Sequence, residues 1–227
     1  MVARSIDSMT ALGFNIAMKE LGFRRTGRTY RLGAKGESQG LVNLQGSSGS
    51  GGSTTLFYVN LNVIPKAWNE FAAWSRGKDV VGDPDYTVGV LRNRLPSPID
   101  VAYRYVAGDG NTSIVRQQWS FSDEDEAEHC GRRLTMTIER DVAPLFAQLK
   151  DDTHQLLDFF SRPAGERGVL PRLGTRPSTL AAVLLADRGP SAELDRAVDE
   201  LSNHKGSEEV LRWVHMRTTK PITKYLT

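Results

Sequence analysis

The stretch "VNLQGSSGSGGSTTLFYVNLNV", residues 42–63, places eight Gly/Ser residues in a row between two apolar segments. A glycine-rich loop cradles a phosphate when a Lys and a Ser/Thr follow its second glycine and open a helix. Gly46 and Gly51 have that separation, but Gly52 stands in the lysine position and the residues after it read as a strand. A serine-hydrolase elbow also fails, because after Gly46-Ser47-Ser48 the glycine comes one residue too early, at Gly49. The loop is expected to be a flexible connection between two antiparallel strands.

Four amides flank it: Asn43 and Gln45 before, Asn60 and Asn62 after. If the two strands pair in register, all four project from one face of the sheet. Asparagine is depleted in strands, so the group needs a reason. It can form a hydrogen-bonding floor for a polar ligand, or find partners within the fold as buried polar groups do. A basic run, Arg24, Arg25, Arg28, Arg31 and Lys35 with Tyr30 between, can meet phosphates and stack a base. It equally suits a solvated edge hairpin, or one facing the acidic residues after position 122. The candidate ligand-binding set is therefore Asn43, Gln45, Asn60, Asn62, Arg25, Arg28 and Trp119.

Other chemistry finds little support. His129, His154, His204 and His215 are scattered without zinc-site spacing, so no metal and no cofactor are expected. His129 and Cys130 are adjacent and point to different helix faces, which is wrong for a Cys/His dyad. A helix-turn-helix around Gly189 lacks a basic recognition helix, since "ELDRAVDEL" is net acidic. An enzyme remains an alternative only if dispersed residues such as Arg28, Asn60, Asp100 and His129 converge.

These residues must be positioned by a mixed fold. Met9, Leu12 and Ile16, with Phe14, Met18 and Leu21, give helical spacing over 4–21, and Gly22 suits the cap. Gly27 suggests a turn in "FRRTGRTYRL". Alternation gives strands near 28–33, 40–46, 54–63, 100–107 and 113–121, the last two around an Asp109-Gly110 turn. Pro65 ends the third of these strands, and a short helix carrying Trp68, Phe71, Ala72 and Ser75 follows. Residues 79–98 read as loop with a possible strand at 86–91. Ser122 is expected to cap a long helix over 123–150, with Asp125 three residues on, and Pro144 must interrupt it. Ser178, Ser191 and Ser207 look like caps of three short C-terminal helices.

The expected fold class is α+β: an antiparallel sheet of about five strands with the first helix and the 123–150 helix on one face. An α+β domain over 1–162, a linker over 163–177 and a helical segment over 178–227 complete the organisation. Hydrophobic content of 39% and charged content of 25% are those of an ordinary folded protein. The longest clean apolar run, "LAAVLLA" at 180–186, is too short to span a bilayer, and the N-terminus lacks a signal-peptide pattern. Cys130 stands alone, which excludes an internal disulfide and suits a cytoplasmic location. Residues 1–121 carry 14 Lys/Arg against 9 Asp/Glu and residues 122–227 carry 15 against 18, so the halves are expected to attract one another. The excess is too weak and broken to favour nucleic acid.

"KELGFRRTGRTYR", "LVNLQGS" and "FYVNLNV", then a Trp-containing strand running into an acidic helix with a late Pro, form an ordered set over about residues 10–160. That set resembles the bacterial domain-of-unknown-function family numbered 4304. Asn62 departs from it, where Gly is common, and so does Gln118-Trp119, where a Trp pair is common. The resemblance implies domain limits and no activity. The expectation is a non-catalytic binding protein, inhibitor-like or immunity-like, whose partner is another protein or a polar ligand. The alternatives are the dispersed-site enzyme and a weak nucleic-acid binder using residues 24–35.

Overall fold

The computed structural model describes residues 5–50, 53–79, 83–106 and 111–219. Seven strands form one antiparallel sheet: β1 Phe23–Thr26, β2 Thr29–Leu32, β3 Gln39–Gly46, β4 Thr55–Ile64, β5 Leu91–Arg94, β6 Ala102–Val106 and β7 Thr112–Phe121. Their order is β1-β2-β3-β4-β7-β6, with β5 also paired to β4. The fold is α+β as expected, with two strands more than the alternation gave. β1 pairs with β2 across the Gly27 turn, and β5 lies inside the proline-rich stretch that reads as loop.

Gln45 faces Tyr58 and Gly46 faces Phe57, so the Gly/Ser bridge reverses the chain between β3 and β4. Ser50 Oγ holds the far side by bonding both N and O of Leu56, each at 2.9 Å. No helix follows; β4 begins at Thr55 and runs for ten residues. Gly51 and Gly52 lie outside the described residues, as do Asp109 and Gly110. The β6–β7 pair converges toward the latter, with Val106 opposite Thr112.

Alternation gives the sheet two unlike faces. Tyr30, Val42, Leu44, Phe57, Val59, Leu61, Val63, Trp119 and Phe121 share the apolar face and are buried. Helices α4 (Glu124–Thr137), α5 (Ala143–Asp151) and α6 (Thr153–Ser161) complete that core with Leu134, Phe146 and Phe159. Between α4 and α5 the chain forms a wide π turn over Ile138–Val142, and Pro144 falls in the first turn of α5, where its missing N–H costs little. The cap of α4 is Asp123 rather than Ser122: Asp123 Oδ1 accepts from Glu126 N at 2.9 Å, and Glu126 Oε2 accepts from Ser122 N at 2.7 Å.

The first helix is not continuous. It consists of α1 (Ile6–Met9) and α2 (Asn15–Glu20) joined by a π turn in which Gly13 takes φ 120°. That break rotates the second half, so Met9, Phe14 and Met18 go inward while Leu12 and Ile16 stay 41% and 64% exposed. The Leu12 and Ile16 part of the expected apolar stripe is thereby corrected.

Helix α3 (Lys66–Trp74) follows Pro65. It packs on α7 (Pro177–Ala186), which is followed by α8 (Ala192–Ser202) and α9 (Glu208–Thr219). A second core forms there, with Phe71, Trp74 and Trp213 ring to ring at 5.5–6.3 Å. Leu180 and Leu184 of α7 belong to the sheet core itself, so the C-terminal helices and the sheet share packing. Ser191 caps α8 through Leu194 N, whereas Ser178 lies inside α7, one residue after Pro177. Two ion pairs join the halves with acids from the first and bases from the second: Asp100 meets Arg133 and Glu70 meets Arg217. Among the described residues no helix is long and apolar enough to cross a membrane.

Candidate functional site: an arginine-lined cleft at strand β5

The second face of the sheet carries the polar residues of β3 and β4. Asn60 Nδ2 donates to Asn43 Oδ1 at 3.3 Å and to Gln45 Oε1 at 2.9 Å, and Asn43 Nδ2 donates to Thr29 Oγ1 at 2.9 Å. The register puts Asn60 opposite Asn43, so three of the four amides form one cross-strand ladder. Nearby, Gln118 Nε2 donates to the Tyr58 hydroxyl at 2.7 Å, and the Arg94 guanidinium lies 3.8 Å over the Tyr58 ring.

Asn62 lies apart from this ladder. It is 4% exposed beneath residues 83–90, a strap laid over the sheet. Three side chains donate to alternate carbonyls of the strap: Arg31 to Pro84 at 2.9 Å, Asn62 to Tyr86, and the Trp68 indole to Val88 at 2.8 Å. Gly89 presses so closely on Asn62 that a Cβ there would overlap the amide. Asp83 anchors the start of the strap with a fork from Arg24, both bonds 3.2 Å, and a bond from Gln39 at 2.8 Å. The Arg24 bonds, aided by Gln39 and the charge of Arg31, hold the Asp83 carboxyl below the usual carboxylate range against the opposing effect of burial. Burial in turn pulls the Arg31 guanidinium below its ordinary value, and Asp83 opposes that.

On the other side of β5 runs the segment 163–177. Leu170 is buried, Leu173 bridges to Leu91, and Gly174 N donates to Val90 O at 2.7 Å. Asn93 fastens this segment by bonding both backbone groups of Arg172.

A cleft of ≈ 710 Å³ is lined by both walls and the strands between them. Tyr86 and Thr87 come from the strap, Asn60, Asn62, Arg92 and Arg94 from the sheet, and Val169, Pro171 and Arg172 from the second segment. Arg92 and Arg94 follow from the alternation of "LRNR", which buries Leu91 and Asn93 and leaves the two arginines exposed. No Asp, Glu, His or Cys is among the described residues that line the cleft. Arg92, Arg94 and Arg172 make no ion pair among the described residues. The basic hairpin differs: Arg25 and Arg28 reach Asp7 at 3.7 and 2.6 Å, and Arg24 and Arg31 reach Asp83 at 3.2 and 3.8 Å. The hairpin charge is thus answered by Asp7 and Asp83.

Of the residues singled out in the sequence, Asn60 and Asn62 line the cleft, and Asn43 and Gln45 support Asn60. Arg25 and Arg28 sit elsewhere, tied to α1. Trp119 has no exposure and gives its indole N–H to Leu95 O at 3.0 Å, so it is a packing residue of the core. Arg92, Arg94, Asn93 and Arg172 were missed; the alternation in "LRNR" was the available signal.

Of the four dispersed residues, two converge. His129 Nε2 lies 2.8 Å from Asp100 Oδ2, and Arg133 Nε lies 2.9 Å from the same carboxylate, beside a smaller cavity of ≈ 290 Å³. Burial raises the pKa of Asp100, but the bonds from His129 and Arg133 outweigh it and leave the carboxyl below its usual range. Arg28 and Asn60 do not join them. Among the described residues no cluster of three or more His, Cys, Asp or Glu could hold a metal ion.

No curated protein and no solved structure matches the chain. A family described as a domain of unknown function matches residues 14–148, a span that includes the strap, β5 and both cleft arginines of β5 but ends before Arg172. The sheet and most of its helical cover fall within that match, and the chain belongs to the DUF4304 family.

Proposed function

We propose that the chain is a non-catalytic binding protein that takes an anionic ligand in the cleft at β5. One observation carries this: three arginines, Arg92, Arg94 and Arg172, line one concavity with no carboxylate among the described residues lining it. Arginine stays charged at any physiological pH, so such a group without a counter-ion repels itself until an anion enters. The size lies in the range of small-ligand sites. The described lining also offers no carboxylate, imidazole or thiol for general-base or nucleophilic work, which supports binding over turnover.

The test is thermal unfolding of the full chain against phosphates, sulfate, polycarboxylates and an Asp/Glu-rich peptide. A ligand at 100 times its Kd should stabilise the fold by about 2.7 kcal/mol. An upward shift in Tm that vanishes in Arg92→Ala/Arg94→Ala supports the reading. No shift with any anion, or a shift that survives that double substitution, removes it. A response to the acidic peptide alone would make the role inhibitor-like, directed at a protein.

A second reading attaches to the Asp100–His129 contact. Asp100 could orient the imidazole so that Nδ1 acts as base toward a substrate in the cavity shared with Ser120 and Ser122. Its test is a hydrolase substrate screen; turnover that is unchanged in His129→Ala, or absent altogether, removes it.

A further inference from the structure

Resting on the anion-binding reading above, we infer that the ligand of the β5 cleft is a small phosphate ester. It carries at least two negative charges, and its organic body bears a hydroxyl or amine.

The charge comes first. A monocarboxylate would answer one of the three guanidinium groups and leave two in mutual repulsion. A phosphomonoester carries about −1.5 to −2 at neutral pH and has three acceptor oxygens, and a diphosphate carries more. Guanidinium matches these oxygens in forked pairs.

The arginines are also set in place by different means, which lowers the entropy lost on binding. The Arg94 guanidinium carbon lies over the Tyr58 ring, 3.8 Å from its centre, a contact that holds the group in place without using its N–H groups in an ion pair among the described residues. Arg172 has its backbone fixed by Asn93. Arg92 gives only Nε, to Gly89 O at 3.4 Å, and keeps its two terminal nitrogens.

The remaining lining describes the body. Tyr86, Pro96, Val169 and Pro171 supply apolar wall beside the cations. Asn60 spends its Nδ2 on Asn43 and Gln45, so its Oδ1 is left to accept from a ligand hydroxyl or amine. A polymer fits less well. The cations of the basic hairpin, the densest run in the chain, are paired with Asp7 and Asp83 and do not extend a phosphate track from the cleft.

Calorimetry on the full chain at low salt, with ADP, inorganic pyrophosphate and citrate, tests this. ADP should bind, and pyrophosphate should bind at least threefold more weakly because it lacks the body. Arg94→Gln and Arg172→Gln should each weaken ADP tenfold or more, while Arg132→Ala on the exposed side of α4 should leave it unchanged. All three positions are exposed, and an unchanged melting curve confirms that each variant is folded. Citrate binding as tightly as ADP, or pyrophosphate binding as tightly as ADP, overturns the ligand class and leaves the anion-binding reading standing. ADP affinity that is equal in Arg94→Gln, Arg172→Gln and the parent overturns both. A single-stranded oligonucleotide binding more tightly than ADP overturns the small-molecule assignment alone.

Discussion

The side-chain amide of Asn93 and the backbone of Arg172 bond each other in both directions: Nδ2 to the carbonyl at 2.9 Å, and the amide N to Oδ1 at 2.8 Å. The side chain thereby imitates a strand neighbour for a segment 79 residues away. At 6% exposure Asn93 has little water to replace those bonds. Asn93→Ala should therefore cost about 1–3 kcal/mol, the usual range for removing one partner from hydrogen bonds that are shielded from water, here two part-buried ones. Urea unfolding reads the loss, and ADP affinity should fall with it because Arg172 is released. A variant with parental stability and affinity would show that the segment holds itself without Asn93.

Gly40 and Phe146 set the spacing between sheet and helix. A Cβ on Gly40 would stand 2.4 Å from the Phe146 ring, so α5 can lie on β3 only because that position is bare. Gly40→Ala should destabilise by about 1–3 kcal/mol through overpacking. In the Gly40→Ala/Phe146→Ala double variant the loss should be smaller than the sum of the two single losses, since removing the ring takes away the atoms that stand 2.4 Å from the new methyl group. Strict additivity in urea melts would mean that α5 shifts freely.

Much of the sheet was legible because its strongest strands are long and regular. β3 and β4 show period-two alternation on both sides of the Gly/Ser bridge, and their register follows from which residues are apolar. β5 escaped because it has four residues among prolines, too few for a period to register. The break at Gly13 escaped for another reason. Leu12 and Ile16 fit a helical stripe on paper, and only the φ of 120° at Gly13 shows that the stripe is divided.

The site divides along similar lines. Asn60 and Asn62 were marked as anomalous polar residues in a strand, and both line the cleft. Their different duties depend on partners that no local pattern names: Asn62 serves the Tyr86 carbonyl 24 residues on, while Asn60 serves its neighbours on β3. The alternation in "LRNR" puts Arg92 and Arg94 on one face of a short strand, but it names neither the cleft nor Arg172. An unpaired arginine and a paired one look alike in sequence, and the paired ones of residues 24–31 drew attention only because they are crowded together.

The clamp on Asp83 makes an acid dependence. Its folded-state pKa is depressed by the Arg24 fork, so the stability it contributes is present above the unfolded value of about 3.9 and is lost as pH falls through the lower folded value. Unfolding free energy should therefore decline on acidification below about pH 5. Asp83→Asn should be less stable than the parent at pH 7 and should show a shallower decline below pH 5. Parallel curves for the two proteins would assign the acid sensitivity to other carboxyls, Asp7 first among them.

Cys130 offers a probe of the core. It lies on the buried side of α4 with no exposure, and burial, with smaller contributions from Asp100 and Glu126, pushes its thiol up to about 12. The thiolate is the reactive species, so at pH 8 both the missing charge and the missing access protect it. An alkylating reagent should leave the native chain unmodified on the timescale that modifies it fully in denaturant. Its slow native rate should report opening of the α4–sheet contact, and Gly40→Ala should raise that rate because the core beneath α4 and α5 is loosened. Alkylation of the native protein as fast as that of the unfolded chain would mean that α4 does not seal this face of the sheet.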